Sequence, residues 1–172
     1  MTWEEFCKNN KIGKRFHDVS WDNFPCEMHG YDFLSNVIFY GGPGRGKTYN
    51  SLAIIRVLLE AYKEVRWIQA TEFEDQLYES KRNYGETKTL INMFSDCEFL
   101  FIDDFGTETT NEGLEREWYK LINNRWSDAK QTVFTTNLDP DEICKKYGER
   151  IFSRFKDFEW IEFEGEDLRG KK

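Results

Sequence analysis

Gly41-Gly42-Pro43-Gly44-Arg45-Gly46-Lys47-Thr48 is the stretch that decides the fold. It fits the spacing G-x-x-x-x-G-K-[ST], in which the backbone N–H groups of a glycine-rich turn form a concavity that binds phosphate. An apolar run at 36–40 precedes it, and apolar residues at helical spacing follow it from Leu52 to Tyr62. Such a phosphate loop requires a strand before it and a helix after it, because the helix N-terminus supports the bound anion. The stretch therefore predicts a site for the phosphates of a nucleotide.

The loop also predicts which groups hold ATP and Mg²⁺. The Lys47 ammonium is expected to reach the β- and γ-phosphates, and the Thr48 hydroxyl is expected to hold Mg²⁺. The predicted nucleotide contacts in and beside the loop are Gly42, Pro43, Gly44, Arg45, Gly46, Lys47, Thr48 and Tyr49.

Size and composition narrow the class of protein. The 172 residues are enough for one domain with a full core. No apolar stretch approaches the roughly 18 residues of a membrane span, and the N-terminus lacks a signal-peptide pattern, so we expect a cytoplasmic protein without a membrane partner. The net charge of −8 argues against coating nucleic acid by bulk charge, although a local basic strip remains compatible with it.

The four cysteines are spread widely along the chain, at Cys7, Cys26, Cys97 and Cys144. The isolated pair Cys26 and His29 offers too few ligands for a structural zinc ion. We therefore expect reduced thiols and no metal other than the one bound with the nucleotide.

Strand and helix patterns alternate from residue 36 onward. Apolar runs predict strands at 36–40, 65–69, 99–102, 132–136 and 160–163, with helices between them. Thr71 and Glu74 have the spacing of a capping box at a helix start, and the polar stretch 81–88 is typical of a loop. This alternation predicts a parallel sheet covered by helices on both faces. We expect residues 1–35 to form a short helix and an extended lead-in, and residues 36–172 to form the core.

Acidic and amide side chains follow two of the predicted strands. Asp103 and Asp104 come directly after the apolar run 99–102, which is the Walker B pattern. Asp103 is expected to hold Mg²⁺, and Asp104 to orient or deprotonate the attacking water. Asn137 follows the fourth strand, so it is expected at the same edge of the sheet, where it would contact the γ-phosphate or its water.

Two groups of basic residues each allow two interpretations. Arg150 and Arg154 share a face if they lie on a helix, which suits either a surface ion-pair face or an arginine finger that completes the site of a neighbouring subunit. The cations and the aromatic ring of Lys81, Arg82, Tyr84 and Lys88 suit single-stranded DNA. An ordinary solvated loop explains that second group equally well.

Together these motifs resemble the bacterial replicative-helicase loaders of the DnaC/DnaI type, which belong to the AAA+ ATPases and are related to the transposition ATPase IstB. The segments that carry the resemblance are 41–48, 99–106, 135–137, 148–155 and, before the core, 15–24. The resemblance implies the P-loop NTPase fold of the AAA+ (ASCE) class, with three layers and a five-stranded parallel sheet. Only 35 residues follow Asn137, so the lid domain is expected to be reduced or absent.

The same resemblance assigns roles to single residues. Asn137 takes the place of sensor 1 and Arg154 that of the arginine finger, with Arg150 as the second candidate. Arg169 resembles the sensor 2 arginine, and it completes the predicted nucleotide contacts.

The resemblance also implies an activity and partners. The chain is expected to hydrolyse Mg·ATP when assembly stimulates it, to associate with itself through the ATP site, to bind single-stranded DNA and to load a hexameric replicative helicase. The loaders usually carry a helicase-binding domain before the ATPase core. In this chain about 35 residues precede the first strand, as expected of a shortened form that a phage would encode. An IstB-like transposition ATPase, an adaptor gated by nucleotide with negligible hydrolysis and a small-molecule P-loop kinase remain alternatives.

Overall fold

A parallel five-stranded sheet forms the centre of the molecule. The computed structural model describes residues 1–21, 35–82, 86–109 and 111–169. The strands are β1 (Val37–Tyr40), β2 (Val65–Gln69), β3 (Phe99–Phe105), β4 (Gln131–Thr136) and β5 (Glu159–Glu162), and their order in the sheet is β2-β3-β4-β1-β5. Every neighbouring pair is parallel, which confirms the predicted sheet.

Helices cover both faces of the sheet. The described helices are α1 (Trp3–Asn9), α2 (Lys47–Glu60), α3 (Ala70–Arg82), α4 (Glu86–Asp96), α5 (Glu112–Ser127) and α6 (Pro140–Phe155). One core cluster joins α1 and α2 to the first face, and the other joins α3, α4, α5 and α6 to the second face. The result is the three-layer arrangement that the alternation of strands and helices predicts.

The central strand β3 shows why the sheet is covered on both sides. Phe99 and Phe101 belong to the core cluster of the α2 face, whereas Leu100 and Ile102 belong to the cluster of the opposite face. Successive side chains of a strand point to opposite faces, so an uninterrupted apolar run buries both. Each of these fully buried side chains contributes about 2 kcal/mol through the hydrophobic effect.

The N-terminus of α6 has a capping box. The Asp139 side chain accepts from the Glu142 backbone N–H, the Glu142 carboxylate accepts from the Asp139 N–H, and Pro140 occupies the first turn. Two helical segments meet at Gly148 within α6, because the φ of 77° and ψ of 165° of this residue are not helical. The start was predictable because capping is local, whereas the continuation depends on packing against the sheet.

The loop predicted at 81–88 is wrong in its described part. Helix α3 continues to Arg82 and α4 begins at Glu86, and a hydrogen bond of 3.0 Å joins the hydroxyls of Ser80 and Thr87. Polar residues occupy this stretch because the helices are amphipathic and turn their polar sides to solvent. Tyr84 lies outside the described residues.

The capping box predicted at Thr71 and Glu74 is also wrong. Helix α3 begins at Ala70, directly after β2 ends, and this start places Thr71 inside the helix. The Glu74 carboxylate instead accepts from the backbone N–H of Thr109 at 3.1 Å. Glu74 therefore stabilises the loop after β3 rather than the helix start.

The segment before the sheet packs against the core. Phe6, Cys7, Ile12 and Val19 are buried in the cluster of the α2 face. A 3₁₀ turn at Lys14–Phe16 lies within the predicted lead-in. Residues 22–34, which include Cys26 and His29, lie outside the described part of the chain. Within the described ranges, no helix has the length and apolar character needed to cross a membrane.

Candidate functional site

The candidate site lies beyond the carboxyl ends of β1, β3 and β4, the edge of a parallel sheet where ligands bind. A cavity of about 640 Å³ opens there. Its described lining comprises Arg15, Phe16, Pro43, Gly44, Arg45, Gly46, Lys47, Thr48, Tyr49, Asp104, Asn137, Leu168 and Arg169. The fold thus brings the predicted loop, one predicted acid and the predicted amide to one cavity.

The glycine loop leads directly into helix α2. Gly46 stands at the N-cap in the left-handed conformation, with φ of 91°, and it has no side chain to cap the helix. The first N–H groups of α2 are therefore free of a side-chain cap from that residue, which suits a bound phosphate. Lys47 is the first residue of the helix and Thr48 the second.

Lys47 lies at the centre of the loop with only 5% of its surface exposed. Its ammonium donates to the carbonyls of Gly41 and Gly42, both at 2.7 Å, and to the Asn137 Oδ1 at 2.8 Å. Burial lowers the pKa of Lys47 below its ordinary value, although the nearby Asp104 opposes this effect. The lysine thus links the start of the loop to the end of β4.

Asp103 is buried between two hydroxyl groups. Its Oδ1 accepts from the Thr48 Oγ1 at 3.0 Å and from the Thr135 Oγ1 at 2.6 Å. Burial, and then the charge of Asp104, raise the pKa of Asp103 to about 6. A carboxylate that is costly to ionise in this pocket gains from a cation close to it.

The donor set fits Mg²⁺. The Thr48 hydroxyl and the Asp103 carboxylate are hard oxygen ligands, and they already lie within hydrogen-bond distance of each other. Magnesium is usually held by one or two carboxylates together with water and substrate phosphates, so two protein oxygens suffice. Among the described residues, no separate group of three metal-ligating side chains is present.

Thr135 is a site residue that sequence reasoning did not identify. Besides donating to Asp103, its hydroxyl accepts from the Asp104 backbone N–H at 2.9 Å. Asp104 itself has a φ of 53°, a left-handed conformation that aspartate tolerates better than most residues. Thr135 therefore holds both acids of β3. The sequence feature that could have indicated this role is the position of Thr135 one residue before the end of β4 and two residues before Asn137.

The segment after β5 packs against the loop. The Leu168 N–H donates to the Gly44 carbonyl at 2.9 Å, and Arg45 donates to the Phe163 carbonyl at 3.0 Å. A Cβ at Gly44, whose φ is 75°, would lie 1.7 Å from the Asp167 Oδ1. The positive φ favours glycine at this position. The same segment brings Arg169, the predicted sensor 2 residue, to the cavity.

Aromatic and basic side chains from the segment before the sheet also line the cavity. The Arg15 guanidinium lies 4.5 Å from the ring centre of Phe16. Both residues line the cavity together with Tyr49. Arg15 and Phe16 were not among the predicted nucleotide contacts. The available signal was the arginine-phenylalanine pair in the lead-in segment.

The predicted finger arginines lie elsewhere on the surface. Among the described residues, the cavity lining includes neither Arg150 nor Arg154. Arg154 donates to the Asn123 Oδ1 at 2.8 Å and to the Tyr119 hydroxyl at 3.0 Å, and Arg150 lies 4.3 Å from the Tyr119 ring centre. Both guanidiniums thus pack on α5 rather than reaching the site of their own chain.

The predicted DNA contacts are exposed where they are described. Lys81, Arg82 and Lys88 all face solvent, on the adjoining ends of α3 and α4. The Lys81 ammonium lies 5.5 Å from the ring centre of Tyr78, an exposed aromatic that the prediction had not included. Tyr84 is outside the described residues, so the group is only partly placed.

Comparison with known proteins gives sequence relatives in DNA replication. Residues 26–159 match the family described as the bacterial DnaA ATPase domain. The replicative helicase loader DnaC of Escherichia coli (strain K12) is 28% identical over 141 residues, which are 80% of this chain and 58% of the loader. The chain thus spans little more than half the length of that relative, and the resemblance to the DnaC-type loaders is confirmed.

Solved structures share the fold. The crystal structure of the DnaC helicase loader has a TM-score of 0.75 at 18% identity, over 88% of this chain and all of that one. The replication initiator DnaA bound to AMPPCP and single-stranded DNA has a TM-score of 0.71 at 21% identity, over 96% of this chain and 50% of that one. The parallel sheet, the glycine loop and the matched residues lead to one assignment: the chain belongs to the family of the bacterial DnaA ATPase domain, within the AAA+ ATPases.

Proposed function

We propose that this chain binds and hydrolyses Mg·ATP and acts as a loader of the replicative DNA helicase. The observation that supports this most strongly is the connected phosphate site, which we define as Lys47, Thr48, Asp103, Thr135 and Asn137. Its hydrogen bonds join the glycine loop to the ends of β3 and β4. An incidental glycine turn would not be tied to a buried acid and an amide from two other strands.

The residues of the phosphate site have separate tasks in this proposal. The loop N–H groups and Lys47 hold the β- and γ-phosphates, and Thr48 and Asp103 hold Mg²⁺. The bound Mg²⁺ supplies electrostatic stabilisation of charge on the transferred phosphate. Asp104 would orient the attacking water and accept its proton, and Asn137 would contact the γ-phosphate. Arg15, Phe16, Tyr49 and Arg169 contact the remainder of the nucleotide.

Arg154 acts on the site of a neighbouring subunit in this proposal. Its side chain is held away from the cavity of its own chain, so an effect on hydrolysis requires a second copy. Arginine fingers supplied in this way stabilise charge in the transition state. Self-association through the ATP site would then be a condition for rapid turnover, with Arg150 as the second candidate finger.

Helicase loading is the finer part of the proposal. It is supported by the similarity to the DnaC loader, of which the chain spans 58%. Binding of single-stranded DNA is suggested by the DnaA structure that contains it and by Lys81, Arg82 and Lys88 on one surface. The cytoplasmic location and the division of the chain at residue 36 stay predictions.

Substitution of Lys47 tests the phosphate site. Lys47→Met keeps much of the side-chain volume but removes three hydrogen bonds and the charge, so Mg·ATP affinity should fall at least about 100-fold. Binding of a fluorescent ATP analogue is measured beside thermal unfolding, which checks the fold. Lys63→Met is the matched control, because Lys63 forms only an exposed ion pair with Glu98. Unchanged affinity in a folded Lys47→Met chain would exclude the assignment.

Partner capture tests the helicase proposal. The tagged wild-type chain is incubated with host extract and Mg·ATP, and the recovered proteins are identified. We expect the hexameric replicative helicase in the wild-type sample and less of it with Lys47→Met. Recovery of a transposase would favour the IstB-like alternative, and nucleotide-dependent capture without measurable turnover would favour the adaptor.

A further inference from the structure

Another cavity, of about 310 Å³, lies beside the edge strand β2. Its described lining shares no residue with that of the candidate site. We call this cavity the edge groove. It is lined by Phe6 and Asn10 at the end of α1, by residues 65–68 of β2, and by Gln76 of α3 and Met93 of α4. Helices from both faces of the sheet thus form walls beside β2.

Part of the β2 backbone is turned away from the sheet. The strand stands at one end of the strand order, so among the described strands only β3 pairs with it. The Glu64 carbonyl accepts from the Phe99 N–H at 3.0 Å, which shows that position 64 is turned toward β3. In a parallel pair the residues alternate, so Val65 and Trp67 turn their N–H and C=O groups to the open side. Unpaired backbone groups of this kind can receive an added strand.

Two side-chain donors in the groove also lack a partner within the described part of the chain. Trp67 is 9% exposed, and its Nε1–H is buried without a hydrogen bond, as is the Nε–H of Arg66. A buried donor without a partner costs free energy, which an acceptor from another molecule recovers. Lys11 and Glu72 also line the groove and offset each other in charge. Arg66 forms no ion pair with a described residue, so the groove is basic.

The opposite edge of the sheet has a different character. Its strand β5 begins and ends with the exposed acids Glu159 and Glu162. Charged side chains on an edge strand discourage pairing with another chain. β2 instead carries Val65, Trp67 and Ile68, which are all buried in the core clusters. The fold therefore protects one edge by charge and leaves unpaired donors at the other.

We propose that the edge groove binds an extended acidic segment of a partner protein, which pairs with β2 as a sixth strand of the sheet. Val65 and Trp67 belong to the face of α2, whereas Arg66 pairs in register with Leu100 of the opposite face. Paired residues of neighbouring strands share a face. The segment should therefore read apolar-acidic-apolar, with its acid opposite Arg66.

Nuclear magnetic resonance with a synthetic peptide tests the added strand. The probe is Thr-Thr-Val-Glu-Val-Thr-Thr, acetylated and amidated. We expect a saturable shift of the Trp67 indole N–H signal and slower hydrogen exchange at the Val65 and Trp67 amides. The Arg66 and Ile68 amides, which face β3, should change less. The indole of Trp160, which donates to the Phe155 carbonyl at 3.0 Å, is the control. Absence of a saturable change in β2 overturns the proposal.

The charge of the peptide tests the role of Arg66. With glutamine in place of the glutamate, the wild-type chain should bind about tenfold more weakly, and with lysine more weakly still. In Arg66→Met the glutamate and glutamine peptides should bind alike, whereas Arg116→Met, at an exposed position of α5, should keep the difference. Equal binding of all three peptides by the wild-type chain overturns an acidic partner, and this comparison requires no variant to fold.

A second copy of this chain is the other candidate occupant. Exchange at the Val65 and Trp67 amides is therefore also followed without peptide at increasing protein concentration. We expect no dependence on concentration. Slower exchange at these two amides as the concentration rises would assign the groove to self-association and overturn the partner segment. All of these measurements use the chain without nucleotide, so their outcome does not depend on the proposed function.

Discussion

The charged side chains of the phosphate site and those of the arginine surface have opposite environments. In the phosphate site, Lys47 and Asp103 are buried and joined to neighbouring polar groups. The arginine surface, which we define as Tyr119, Trp126, Arg150 and Arg154, carries two cations on aromatic rings. Among the described residues, no ion pair involves either arginine of that surface.

This difference indicates what each region can do alone. Buried charges require partners, so the phosphate site is assembled within one chain and should bind nucleotide there. Arg154 is oriented by the neutral groups of Asn123 and Tyr119, and within the described residues it forms no ion pair with an acid. An oriented cation without an acid suits an anion supplied by another molecule. The comparison therefore predicts that binding and turnover respond to different substitutions.

Removal of Arg154 should give the largest effect. In Arg154→Ala, Mg·ATP affinity should change little, while turnover should fall by about 10³-fold, the lower range for arginine fingers. Steady-state hydrolysis and analogue binding are measured on the same preparation. Arg116→Ala is the control, since Arg116 is an exposed arginine on α5 whose one ion pair within the described ranges is with Glu117.

The mixed assembly decides whether Arg154 acts between subunits. Arg154→Ala and Asp104→Asn are each expected to be inactive, and their mixture should recover part of the wild-type turnover. Such recovery arises where an intact site meets an intact finger. If the mixture stays inactive while both chains associate, the arginine surface has only a structural role.

Substitution of Asp103 should give the second largest effect, and it should raise the stability of the chain rather than lower it. Burial and Asp104 raise the pKa of Asp103 to about 6, above its ordinary 3.8, so the native chain holds this proton more tightly than the unfolded chain. Without nucleotide, this residue's contribution to stability is therefore greatest at low pH and is lost as the pH rises from about 4 to about 6. Asp103→Asn cannot ionise, so it should be more stable than the wild-type chain at about pH 8, by about 3 kcal/mol.

Urea unfolding without nucleotide or Mg²⁺ measures this difference. The difference in stability between Asp103→Asn and the wild-type chain should nearly vanish at about pH 4, where the wild-type carboxyl is protonated in the native chain. Glu98→Gln, at an exposed position, is the control for general effects of removing an acid. A wild-type chain that is the more stable one at about pH 8 would contradict the idea that the phosphate site costs stability until a cation occupies it.

The sequence could predict the features that depend on residues close together in the chain, but not those that depend on contacts between distant segments. The glycine loop, the acids of β3 and Asn137 were found because short motifs and the edge of a parallel sheet place them together. The capped start of α6 was likewise local. Thr135 was missed because its role depends on the register between β3 and β4, which shifts between Ile102 and Phe105. A register shift has no signature within one strand.

The arginine surface was only half predictable. The spacing of Arg150 and Arg154 indicated one face, but the aromatic residues under them come from α5, 28 or more positions earlier in the chain. The end of α3 at Arg82 and the start of α4 at Glu86 were missed for a related reason, since polar residues on the solvent side hide a helix whose stability comes from packing. Contacts between distant segments thus explain most of what the motifs left out.

Thr135 tests whether the phosphate site is a single network. In Thr135→Val, Asp103 loses one donor and the Asp104 N–H loses its acceptor, which should cost about 1–3 kcal/mol of stability and lower turnover by about tenfold. Mg·ATP affinity should fall less than turnover, because Lys47 and Thr48 remain in place. Thr71→Val, at an exposed helical position, is the control. Equal losses of affinity and turnover would show that Thr135 supports the loop rather than the acids.

Substitution of the basic residues at the end of α3 should give the smallest effect. Like the arginine surface, Lys81 and Arg82 are exposed and make no ion pair within the described part of the chain. If both contact phosphates of single-stranded DNA, the double substitution to Ala should lower affinity by about three- to tenfold and reduce the salt slope by about 1.4. Fluorescence anisotropy with an oligothymidine at several salt concentrations measures both quantities.

The salt slope distinguishes a lost phosphate contact from a general loss of structure better than the affinity does. A general loss of structure lowers affinity but leaves the number of released counterions per bound protein unchanged, whereas a lost phosphate contact reduces it. Lys8→Ala with Lys11→Ala is the matched control, because both lysines are exposed at the opposite face of the sheet on or beside α1. If the control lowers the slope as much as the double substitution at 81 and 82, the exposed cations of α3 are a solvated surface. Uncompensated charge would then indicate a partner only where neutral groups also hold it in place, as they hold Arg154.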